Sequence, residues 1–193
     1  MSRKLLFLFL SVYFSTFTAT AKIIWTIGNG DNSGSELALG PSDYKKFLAN
    51  DFGYEDRFFL IGTSSDKTDF PYVMPGPDDT WGGTWRTSGW RTHDTNILFN
   101  ISQKPKNGQC KLIIDLVVCR HLSLPYTSNP NRSVVKVTIN SIEKKFEIKG
   151  HSEEALEGNV QNAKEQILEF PFSTADLKEG GNIVTISVLE GGW

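Results

Sequence analysis

Ser133-Val-Val-Lys-Val-Thr-Ile-Asn-Ser-Ile-Glu-Lys-Lys-Phe-Glu-Ile148 decides the fold. From Ser133 to Ile139 the residues alternate, which places Val135, Val137 and Ile139 on one side. A period of two is the mark of a half-buried strand. Asn140-Ser141 supplies turn chemistry, and the chain resumes as a strand through Lys144–Ile148. The stretch therefore predicts a β-hairpin.

Working outward, the same period recurs. Upstream, Asn96–Ile101 alternates and is followed by the turn Pro105-Lys-Asn-Gly108. The next strand, Lys111–Val118, sets Cys110, Leu112, Ile114, Leu116 and Val118 on one face. Lys111 and Asp115 on the other face predict that it is partly wet. Downstream, Gln166–Phe172 and Asn182–Glu190 alternate, the latter with Val184, Ile186 and Val188 together. Ser173–Gly180 between them reads as a turn of helix or a tight connection. Nearer the start, Ile23–Ile27 reads as a short strand halted by the turn cluster Gly28–Gly34. Phe58–Ile61 reads as a buried strand, and Ser64–Thr68 as a turn. Tyr44, Phe47 and Leu48 have helical spacing, with Ser42 as a cap, so one short helix is expected over 42–48. About eight short strands at regular spacing predict an all-β fold, a two-sheet antiparallel β-sandwich of the jelly-roll kind.

Composition agrees. The chain has 193 residues, 39% hydrophobic and 12% aromatic, with 17 glycines. That is one domain's length, one core, and many turns. A net charge of −2 with no basic cluster argues against nucleic acid as a partner. Residues 1–21 read as an export signal: Arg3 and Lys4, an apolar run Leu5–Phe17, then Ala19-Thr-Ala21 as a cleavage site. The mature domain is expected over 22–193, secreted to an extracellular or periplasmic space and free of the membrane after cleavage. Export permits disulfides, but Cys110 and Cys119 flank a strand. Nine residues of strand separate them by roughly 30 Å and turn them to opposite faces, so two buried free thiols are expected.

The stretch Asp69–Arg91 is of another kind. It holds three of the five tryptophans and three of the eight prolines, with Gly76, Gly82, Gly83 and Gly89. Pro and Gly at that density exclude a helix or a central strand and leave an ordered loop. Rigid aromatics stack on the C–H face of a pyranose, and fixed polar groups take its hydroxyls. The candidate contacts are Tyr72, Asp78, Asp79, Trp81, Trp85, Arg86, Trp90 and Arg91. Arg86 and Arg91 are suited to a uronate carboxylate, which a planar guanidinium grips with two bonds. The competing reading is that these aromatics plug one end of the sandwich.

The order of segments resembles the carbohydrate-binding-like third domain of family 4 polysaccharide lyases, the rhamnogalacturonan lyases. The resemblance runs through Trp25-Thr-Ile-Gly28, Asp31-x-Ser33, Glu36-Leu37, Phe59-Leu-Ile-Gly-Thr-Ser64, Asp69-Phe-Pro-Tyr72 and Trp81-Gly-Gly-Thr-Trp85. It continues through Gly108-Gln-Cys-Lys-Leu112, Val137-Thr-Ile-Asn140, Pro171-x-Ser173 and Leu177-Lys-Glu-Gly-Gly-Asn182. It implies a galactose-binding-like sandwich that is an accessory to catalysis, with a pectic polysaccharide or oligosaccharide as ligand. It also implies a catalytic domain in the same or a longer chain. Trp81 and Trp85 belong to the family pattern and are expected in the core. Trp90 lies in an insertion, Thr87–Asp94, and is the foremost ligand contact. The run Pro75-Gly-Pro-Asp-Asp79 also departs from the plant lyases. A closing strand is expected just past Gly192-Trp193, so the sandwich is expected to lack it and to be part of a longer protein.

Catalysis by the chain itself finds little in the residues. His93, His121 and His151 are scattered, and no G-x-S-x-G, H-E-x-x-H or Walker pattern occurs. The rival readings are a catalytic fragment of a lyase or glycoside hydrolase using Asp78, Asp79 or His93, and a purely structural accessory domain. No cofactor is expected. Calcium has oxygen ligands to hand in Asp31, Asp78 or Asp79, without any EF-hand spacing.

Overall fold

A computed structural model describes residues 22–31, 34–37, 57–70, 94–116, 133–148 and 166–190. Seven strands form there: β1 Arg57–Leu60, β2 Asp94–Ile101, β3 Gln109–Leu116, β4 Ser133–Ile139, β5 Ile142–Ile148, β6 Gln166–Ser173 and β7 Gly180–Glu190. They make two sheets, one in the order β1-β2-β7-β4-β5 and one of β3-β6. The fold is an all-β sandwich, as the alternation predicts.

The hairpin stands where its sequence puts it. β4 and β5 pair antiparallel from Ser133↔Ile148 to Ile139↔Ile142, around the two residues Asn140-Ser141. Asn140 takes φ 51°, a left-handed conformation that Asn tolerates better than most residues. Val135, Val137 and Ile139 are buried, the last two completely. From β2 come Ile97, Phe99 and Ile101, and from β7 Val184 and Ile186. The small sheet contributes Leu168 and Phe170, with Cys110, Leu112, Ile114 and Leu116 packed beside them. Each fully buried aliphatic side chain here contributes about 1.5–3 kcal/mol.

Of the connections between the sheets, two lie wholly among the described residues, and they are bonded together. The loop 102–108 leads from β2 to β3, and a 3-10 turn, Thr174–Asp176, leads from β6 to β7. Thr174 N–H donates to the Gly108 carbonyl at 3.0 Å. Gly108 N–H donates to Thr174 Oγ1, also at 3.0 Å. Ser173 caps the turn: its hydroxyl accepts from Ala175 N–H, while its own N–H donates to the Asp176 carboxylate. Beside it, the Asn140 amide donates to the Asp176 carbonyl at 2.8 Å and to Asn182 Oδ1 at 2.9 Å. The hairpin turn is thus tied to the second crossing.

Four expectations are corrected. Ile23–Ile27 is not a strand: Trp25 packs on Phe99 with ring centroids 5.4 Å apart, and Ile27 also meets the core, but the segment enters no ladder. Its alternation serves packing rather than pairing, and Gly28, at φ 68°, turns the chain away. Phe58–Ile61 is only half buried. Phe59 is inside, while Phe58 and Leu60 are 58% and 44% exposed, because β1 edges the sheet with its outer face open. The pairing is not wholly antiparallel, since β1 runs parallel to β2. Ser64–Thr68 is more than a bend: Asp66–Asp69 makes one helical turn, α1, held by Asp69 N–H on the Ser65 carbonyl at 2.8 Å. The helix expected over 42–48 lies outside the described residues.

Candidate functional site: an aromatic segment and the sheet that flanks it

All eight candidate contacts, Tyr72, Asp78, Asp79, Trp81, Trp85, Arg86, Trp90 and Arg91, lie outside the described residues, as do His93, His121 and His151. What the structure describes is the ground on which their segment stands. On entry, Phe70 packs edge-on against Phe59, ring centroids 5.5 Å apart and planes at 85°. On exit, Asp94 opens β2. Phe59 pairs with Ile97 in the ladder, so both ends of the aromatic segment are tied to neighbouring strands of one sheet.

Over two rows the outer face of that sheet is mostly polar, and the register brings distant residues together there. Asp94, Ser187, Lys136 and Lys145 lie across β2, β7, β4 and β5. The next row is Asn96, Thr185, Thr138 and Glu143, with Phe58 of β1 at its end. Thr185 Oγ1 donates to Asn96 Oδ1 at 2.8 Å, and the Ser187 hydroxyl donates to the Asp94 carboxylate. Asn96 and Ser187 are buried, so these bonds satisfy groups that burial otherwise penalises. The sequence reading missed this face, because cross-strand rows follow from register and not from spacing along the chain. The outward alternation of Asn96 in β2 and of Thr185 and Ser187 in β7 is the signal that was available.

The smaller sheet presents a different outer face. Lys111 and Glu169 pair at 2.8 Å, both about half exposed, a contact worth ~0–1 kcal/mol. Ile113 and Ile167 beside them are also more than half exposed. On the core-facing side, Cys110 is half-buried and carries a free thiol, and burial pushes that thiol above its usual range. Cys119 lies outside the described residues.

Asp31, one of the three acids considered for calcium, is exposed; Asp78 and Asp79 are not among the described residues. Among those residues no group of three or more His, Cys, Asp or Glu is placed to hold a metal ion. Glu36 instead serves its own loop, its carboxylate accepting from Asn29 N–H at 2.6 Å.

No curated protein matches the chain. The family model described as "CBM-like: Polysaccharide lyase family 4, domain III" matches residues 23–192. A two-sheet sandwich with that match from end to end identifies the chain as a member of this family of carbohydrate-binding-like, accessory domains.

Proposed function

We propose that the chain is a secreted, non-catalytic module that binds pectic, rhamnogalacturonan-type polysaccharide and serves an enzyme that degrades it. The observation that carries this reading is the family match over residues 23–192. Domain III of these lyases is the carbohydrate-binding-like part and not the catalytic one. Three sequence features support the finer points. The segment 1–21 has the layout of an export signal. Asp69–Arg91 concentrates Tyr72, Trp81, Trp85 and Trp90 with Asp78, Asp79, Arg86 and Arg91, the side chains that stack on sugars and grip uronates. The tethering of that segment at Phe59–Phe70 and at Asp94 supplies a rigid base for it. The catalytic partner is a domain of the same or a longer chain.

The test is incubation of the purified protein with rhamnogalacturonan and homogalacturonan oligosaccharides. The expected outcome is weak, saturable binding by calorimetry, with no unsaturated products and no new reducing ends. Release of either product makes the chain an enzyme; binding to none of the oligosaccharides makes it a structural accessory. Trp90→Ala is expected to weaken binding with little change in melting temperature. Trp81→Ala and Trp85→Ala are expected to cost roughly 3–5 kcal/mol of stability as core residues.

A further inference from the structure

Lys136 and Lys145 face each other directly across β4 and β5, on the outer face of the larger sheet. Like charges in that position repel and destabilise the pair of strands. Three of the other described lysines have partners: Lys111 with Glu169, Lys144 with the Glu169 carbonyl and the Phe146 ring, and Lys104 with the Ala175 carbonyl. Among the described residues, neither Lys136 nor Lys145 has a hydrogen-bond or ion-pair partner. Lys136 is moreover only partly exposed, on a strand bonded on both sides by β5 and β7. The backbone therefore fixes these two lysines opposite one another, and neither ammonium is engaged in an ion pair among the described residues.

The surroundings say what kind of anion fits. On β5, Glu143 and Glu147 flank Lys145 on the same face, and Thr138 lies opposite Glu143. Flanking carboxylates repel a densely charged polymer such as a sulfated or phosphate chain. They accept hydrogen bonds from hydroxyls. A ligand with one carboxylate among several hydroxyls satisfies both the lysines and the glutamates. We infer that the Lys136–Lys145 pair is a carboxylate-binding subsite for an acidic sugar, a uronate residue of a polysaccharide. This rests on the carbohydrate-binding reading above and adds to it residues of the sheet that lie outside the aromatic segment in sequence.

The experiment compares oligogalacturonate with its fully methyl-esterified form, binding each to the whole protein by calorimetry at low and at raised salt. The wild-type protein is expected to prefer the acid form by about tenfold, a difference of ~1.4 kcal/mol, and to lose that preference as salt rises. K136Q/K145Q is expected to lose the larger part of that preference, Arg86 and Arg91 carrying what remains, with affinity for the ester unchanged. Because the variant also removes a repulsion, its melting temperature is expected to hold or rise, which separates lost recognition from lost folding. An acid preference undiminished in K136Q/K145Q, or abolished in R86Q/R91Q alone, overturns the subsite and leaves the module reading intact. Failure of the wild-type protein to bind either form overturns both.

Discussion

Asn140 shows how much one side chain can join. At φ 51° it closes the hairpin, its amide bonds Asp176 and Asn182, and its Oδ1 accepts from Ile183 N–H at 3.2 Å. Asn140→Gly keeps the backbone conformation and loses the side-chain bonds, an expected cost of about 1–3 kcal/mol in urea unfolding. Asn140→Ala adds left-handed strain and is expected to cost about 1 kcal/mol more than the glycine. The turn itself is legible in Asn140-Ser141. Its partners, 36 and 42 residues away, are not, because they meet only when the second crossing docks. Cys110 gives a second test at this scale. Its thiol holds its proton more tightly in the folded protein than in the unfolded chain, because burial disfavours the thiolate. Stability is thus unaffected while both states are protonated, and falls as alkaline pH passes the ordinary thiol range toward the raised one. Cys110→Val is expected to flatten that part of the melting-temperature profile relative to the wild-type protein.

At the scale of the element, alternation is a sound guide wherever a strand has the core on one side. β3 follows it throughout, β6 as far as Phe172 and β4 from Val135 onward, and so do the inward faces of β2 and β7; Val134 is buried as well, beside an irregularity in the β4–β7 ladder. It misleads at Ile23–Ile27, where Trp25 and Ile27 alternate inward without a neighbouring strand to bond. It says nothing of the parallel pairing of β1, since parallel and antiparallel partners ask the same pattern of a short strand. The crossing between β6 and β7 is an element in its own right, and its cap is open to test. Ser173→Ala removes the acceptor for Ala175 N–H and is expected to cost about 1 kcal/mol in denaturant unfolding. Ile139, fully buried at the end of β4, sets the scale for core loss. Ile139→Val is expected to cost about 0.5–1.5 kcal/mol and Ile139→Ala about 2–5 kcal/mol, both by the same measurement.

For the whole molecule, the candidate site and the fold were legible in different ways. The aromatic stretch is recognisable by composition alone, because Trp, Pro and Gly crowd together there. The polar face and its lysine pair depend on β2, β7, β4 and β5 lying side by side, and strand order is a property of the folded chain. That order has a consequence in time. β7 comes after the other six described strands in sequence, yet it lies in the middle of the larger sheet, bonded to β2 on one side and β4 on the other. Before it emerges, the β1–β2 pair and the β4–β5 hairpin are two fragments with nothing between them. Early assembly of this sheet during synthesis is therefore barred, and the waiting fragments leave the flanks of β2 and β4 open to stray partners. A chain ended before Gly180 is expected to show no cooperative thermal transition and to aggregate. Adding β7 as a separate peptide is expected to restore the transition. β7 acts as the keystone of an arch: the halves are cut to shape beforehand, and neither stands until it is set.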